Sequence, residues 1–122
     1  MTPPLAQTSM QAMLEELKAL DPDTWWSIHD IIYIANLDLM HYDEYSDRAK
    51  SIIAYLIQGE LMRANAARGL YGEVQWGPER AFARITKWWS DFADPEEIAM
   101  REAASPASAI LAAYIQALGG SA

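Results

Sequence analysis

The sequence contains no cysteine, which excludes a disulfide framework, a thiolate metal centre and a cysteine nucleophile, and suits a reducing cytoplasm. Histidine is nearly as scarce: His29 and His41 are the only two. No apolar run approaches the roughly 20 residues that cross a bilayer, because charges interrupt each one. The first nine residues have neither the basic start nor the apolar stretch of a signal peptide, so a cytoplasmic location is expected. Also missing are a glycine-rich phosphate loop, a His-Glu-x-x-His pair and a nucleophile elbow. No enzymatic activity, cofactor or metal is expected.

What is present suits one folded domain. The chain has 122 residues, of which 52% are hydrophobic and 21% charged, far from a disordered composition. Seventeen acids against nine bases give a formal charge of -8. Resolved by position, residues 1–47 carry -8, residues 48–90 carry +4 and residues 91–122 carry -4. Seven of the nine bases fall between Arg48 and Lys87. That asymmetry has two readings, an anion-facing segment or the solvated faces of ordinary elements.

Hydrophobic periodicity predicts the elements. Thr8 or Ser9 caps a first helix, with Met10, Met13, Leu14, Leu17 and Leu20 on one face, and Asp21-Pro22-Asp23 stops it. Thr24-Trp25-Trp26 reads as a short extended piece, after which Ser27 caps a second helix that buries Ile28, Ile31, Ile32, Ala35 and Leu39. A polar turn follows. The third helix starts between Asp43 and Ser46 and carries the clearest stripe, Ala49, Ile52, Ile53, Leu56 and Ile57, with Gly59 placed to end it. Alternation over 61–65 and again over 70–76, around a turn at 66–69, predicts a β-hairpin. Pro78 opens another predicted helix, with Phe82, Ile85, Trp88, Trp89 and Phe92 apolar and Arg80, Arg84 and Lys87 opposite. A further segment spans 94–104. Ser105-Pro106 begins a last helix with Ala107, Ile110, Leu111, Tyr114, Ile115 and Leu118 apolar.

This order, and above all the run Leu56-Ile57-Gln58-Gly59-Glu60-Leu61 closing the stripe helix and opening the first strand, resembles the winged helix-turn-helix family. The resemblance covers residues 9–92 and implies a mainly α fold with a small β-hairpin wing. Residues 1–8 would be a flexible N-terminus, and 93–122 would form C-terminal helices that complete the core or pair two chains into a homodimer. It further implies a DNA-binding transcription regulator whose third helix enters the major groove of duplex DNA. Arg48 and Lys50 would then reach phosphates or guanine, and Ser51, Tyr55 and Gln58 bases or phosphates. Arg63, Asn65 and Arg68 would contact the DNA backbone or minor groove from the wing.

The rival expectation starts from the acidic first third. Asp38, Asp43, Glu44 and Asp47 would form a protein-binding face on an acidic winged-helix interaction module. A phage-encoded, anti-CRISPR-like inhibitor that sets carboxylates where phosphates bind would block a host nucleic-acid-binding protein in this way. Asp38, His41, Asp43 and Glu44 match no standard metal-loop spacing and read as a solvated acidic turn. Trp76 and the pairs Trp25-Trp26 and Trp88-Trp89 read chiefly as core, although one ring of each pair points away from its neighbour.

Overall fold

The computed structural model describes residues 9–87 and 96–120. Ser9 caps α1 (Met10–Leu20), its hydroxyl accepting the Ala12 amide at 3.2 Å, and Met13, Leu14 and Leu17 are buried. Asp21 ends α1 and at once caps α2 (Pro22–Ile34) by accepting the Thr24 amide, with Pro22 at a first-turn position that lacks nothing by having no N–H. The expected extended piece at Thr24-Trp25-Trp26 is therefore the first turn of a helix, and Ser27 is not its cap. Asp21-Pro22 supplies a complete start signal earlier in the chain than Ser27 does.

α2 buries Trp25, Ile28 and Ile32 and leaves Ala35 exposed at its end. Asn36 turns the chain at φ 63°, a region that asparagine tolerates better than most residues. The expected polar turn is a short 3-10 helix (Leu39–Glu44) that anchors itself through buried Leu39.

Ser46 caps α3 (Asp47–Ala67), which runs through Gly59 instead of ending there. Ile53, Ile57, Glu60, Leu61 and Asn65 continue one buried face past the glycine. Gly in a helix interior costs about 1 kcal/mol relative to Ala, less than the roughly 1.5–3 kcal/mol gained by burying a leucine such as Leu61. The effective stop is Gly69, at φ +72° just past the C-cap Arg68. Ile52, expected in the core stripe, is exposed.

The strands lie further along the chain than expected. β1 (Leu70–Trp76), β2 (Ala81–Lys87) and β3 (Glu96–Ala103) form an antiparallel meander in the order β1-β2-β3. Residues 61–65 belong to α3, so the first hairpin is β1–β2 with Gly77 and Pro78 in its turn, not at the start of a helix. Within β2 the period is two: Ala81, Ala83 and Ile85 are buried, while Phe82 and Arg84 are half-buried between them. Trp88, Trp89 and Phe92 lie outside the described residues. Residues 96–103 of the segment expected at 94–104 form a strand, so the described residues after it hold one helix instead of several.

That helix, α4 (Pro106–Ala117), opens with Pro106 after a Ser105–Ser108 capping box and buries Ala107 and every residue from Ala109 to Ile115. A helix apolar all round belongs in the interior. It packs on all three strands, on α3 and on α1, so residues from both halves of the chain share one core. Alanines on β2, β3 and α4 let helix and sheet approach closely. At the coarse level the fold is mainly helical, with a small antiparallel sheet placed after three helices.

Two glycines should respond oppositely to alanine. A Cβ at Gly72 would meet Met62 Sδ at 2.8 Å and Asn65 Nδ2 at 3.3 Å, where α3 crosses β1, whereas one at Gly59 would meet nothing within 4 Å. Urea unfolding should show Gly72→Ala destabilised by about 1–3 kcal/mol and Gly59→Ala stabilised by about 0.5–1 kcal/mol.

Candidate interaction surface

The junction of α1 and α2 fixes the position of the surface elements. Buried Tyr114 on α4 donates its hydroxyl to Asp21 Oδ2 at 2.6 Å, and Thr24 Oγ1 donates to the same oxygen at 2.6 Å. Arg68, at the end of α3, donates from Nε to the Tyr114 oxygen at 2.9 Å and lies 3.3 Å from Asp21. Burial pushes the Asp21 carboxyl up, but the bonds from Thr24, Tyr114 and Arg68 outweigh it and hold the pKa below the ordinary 3.8. Burial, with the bond to Asp21, raises the Tyr114 phenol above its ordinary 10.0. One carboxylate thus ties α2, α3 and α4 together.

This network engages Arg68, one of the expected DNA-contacting residues, within the fold, while its side chain stays 44% exposed. Others are used in similar ways. Arg63 lies on α3, not on a wing, and sits 3.6 Å from Glu60, whose carboxylate also accepts the Ser27 hydroxyl at 2.9 Å. Asn65 is on α3 and fully buried, with its amide donating to the Leu61 carbonyl at 3.0 Å. Lys50 turns toward the 3-10 helix, with Nζ 5.7 Å from the Tyr42 ring centre. Burial and the neighbouring Asp43 charge raise the pKa of that tyrosine.

Gln58 is half-buried at the edge of the open face of α3. Only Arg48, Ser51 and Tyr55 come together on that face, where with Ile52 and Leu56 they line a shallow surface cavity of about 380 Å³. Tyr55 is 79% exposed. Ser51, however, donates its hydroxyl to the Asp47 carbonyl at 2.9 Å.

Elsewhere in the basic segment, Arg80 pairs with Glu102 and Arg84 with Glu73, each at 2.9 Å. Among the described residues, four of the seven cations between Arg48 and Lys87 therefore form ion pairs. The carboxylates of the first third behave differently. Asp23, Asp30, Asp38, Asp43, Glu44 and Asp47 pair with no lysine or arginine among the described residues. His41 bridges two of them, with Nδ1 3.0 Å from Glu44 and Nε2 3.7 Å from Asp38. Of the expected acidic face, Asp38, Asp43 and Glu44 share the 3-10 helix or its cap, and Asp47 opens α3.

The same stretch of chain carries large apolar side chains that are exposed to solvent. Trp26, Tyr33 and Ile34 on α2 and Met40 on the 3-10 helix are exposed. Placing Trp25-Trp26 in a helix makes the pattern readable: Trp25 enters the core while Trp26 joins Asp30 and Tyr33 on the outer face. The expectation that paired tryptophans diverge is met here, whereas Trp76, expected in the core, is exposed at the end of β1. No helix among the described residues is long and apolar enough to cross a membrane.

The junction makes a pH-resolved prediction. Asp21→Asn should destabilise the fold at neutral pH by about 1–3 kcal/mol, because the Tyr114 hydroxyl and Arg68 lose a charged acceptor. A carboxylate with a depressed pKa stabilises the fold fully above its unfolded value and loses that contribution as pH falls through the folded value. The gap between wild type and Asp21→Asn in urea midpoints should accordingly be full above pH 3.8 and close below it. Compared with known proteins, the chain matches no family model, no curated protein and no solved structure.

Proposed function

We propose that this chain is a non-catalytic protein-interaction module whose acidic surface docks on a basic protein surface of the kind that otherwise holds nucleic acid. One observation carries this reading: among the described residues, four of the seven cations of the basic segment are ion-paired within the fold, whereas the carboxylates between Asp23 and Asp47 form no ion pair with a lysine or arginine. Nucleic-acid affinity depends on cations free to displace phosphate counterions. Ion pairing to Glu60, Asp21, Glu102 and Glu73 reduces that supply. A carboxylate surface instead steers a cationic protein toward itself over about a Debye length, near 8 Å at physiological ionic strength. By occupying a groove that binds phosphates, such a module would inhibit its target without chemistry.

A second reading, a winged-helix DNA binder, rests on Arg48, Ser51 and Tyr55 sharing the open face of α3. In that reading α3 is the recognition helix and β1–β2 the wing. Homodimerisation through α4 gains no support from this geometry, because Ile110, Leu111, Tyr114 and Ile115 are buried within one chain.

A displacement assay separates the readings. A labelled duplex bound to each of several purified nucleic-acid-binding proteins is titrated with this chain. Asp43→Asn/Glu44→Gln/Asp47→Asn should weaken displacement about ten-fold or more, and added salt should weaken it further. The chain alone should leave the duplex free at low ionic strength. Direct duplex binding that Arg48→Ala abolishes would favour the DNA reading, and failure to displace duplex from any of the proteins would overturn the interaction reading.

A further inference from the structure

Asp23, Trp26, Asp30 and Tyr33 recur at intervals of three, four and three along α2, which places them in one stripe over nearly three turns. Their neighbours complete a ladder of rings. Trp25 meets Trp26 edge-on at 4.8 Å and stacks on His29 at 5.2 Å. Trp26 meets His29 edge-on at 5.1 Å, and His29 lies nearly parallel to Tyr33 at 6.1 Å.

The core uses only one end of this ladder. Trp25 is buried, whereas Trp26 is 49%, Tyr33 70% and Ile34 84% exposed. At the buried end the rings already hold a cation, with Lys18 Nζ 4.3 Å from the Trp25 ring centre and 5.4 Å from that of Trp26. At the open end Tyr33 has Asp30 one turn away, and no lysine or arginine occurs anywhere from residue 19 to residue 47.

We propose that the outer face of α2 is a docking site for an arginine side chain of a partner protein. The guanidinium stacks on Tyr33 and donates hydrogen bonds to the Asp30 carboxylate, while Ile34 covers its methylene stem. Arginine fits better than lysine because its planar, weakly hydrated group stacks on a ring and bonds a carboxylate side by side, whereas an ammonium is a compact, strongly hydrated charge. A nucleic-acid base would also stack on Tyr33, but its phosphates would then lie against Asp23 and Asp30. This inference rests on the acidic-surface reading above and deepens it by naming the group that is recognised.

The test titrates the full ¹⁵N-labelled chain with hexa-arginine and hexa-lysine peptides at low ionic strength. Hexa-arginine should bind about ten-fold tighter, with the largest shifts at the Asp30, Tyr33 and Ile34 amides and the Trp26 indole N–H. Tyr33→Ala and Asp30→Asn should bring hexa-arginine down to the hexa-lysine affinity, and Tyr33→Phe should retain the preference. Both side chains are exposed, so thermal unfolding should remain as in the wild type.

Equal binding of the two peptides, unchanged by these variants, would overturn the arginine site and leave the acidic-surface reading standing. Binding of neither peptide would overturn both. Tyr33-dependent binding of an oligothymidine strand, or Tyr33-dependent dimerisation of the chain alone, would overturn the site in favour of nucleic acid or a second copy.

Discussion

Enclosing α4 on every side puts a phenol hydroxyl where water cannot reach it, and the fold is arranged around meeting that demand. Tyr114 is satisfied by Asp21, the residue at which the chain changes from one helix to the next. A carboxylate there would itself be costly to bury, and Thr24 and Arg68 offset that cost. The result fixes three things together: the angle between α1 and α2, the end of α3, and the rotation of α4 about its axis. The outward face of α2 is a consequence, because once Asp21 and Trp25 are held inward, Trp26, Asp30 and Tyr33 have to point away.

Charge in this chain has different meanings at different positions. The segment from Arg48 to Lys87 is basic in sequence, yet Asp21 and Glu102, acids far from it in the chain, come back to meet two of its arginines in space. In each pair the carboxylate is buried while the arginine stays partly exposed, so the attraction is set against the cost of burying an acid. Their larger effect is on the field outside the molecule, since each paired arginine no longer presents an isolated positive charge to solvent. The acids on α2 and the 3-10 helix retain theirs.

Much of the helical part was legible in the sequence. Ser9 and the Ser105-Pro106 pair mark helix starts because a short hydroxyl accepting a first-turn amide is a local interaction. The errors came where a local signal competed with burial. Gly59 looked like a helix end until Leu61 and Asn65 extended the same buried face beyond it. Arg80, Arg84 and Lys87 at helical spacing concealed the alternation of Ala81, Ala83 and Ile85, because alanine is a weak marker of burial by itself. The candidate surface was half legible. The acidic run from Asp21 to Asp47 was visible directly, but the stripe on α2 appears only once Thr24-Trp25-Trp26 is known to be helical, and the pairing of the arginines depends on contacts no local pattern encodes.

The placement of α4 also governs when this protein can exist as a folded object. The element at the centre of the core follows every other described element in the chain, so on the ribosome α1 to α3 and the sheet emerge before the helix that joins them. Until α4 arrives, the buried face of β2 lacks the helix that packs on it, and Asp21 awaits its tyrosine. Completion of the core therefore waits on residues 106–117, the last of the described elements to be synthesised.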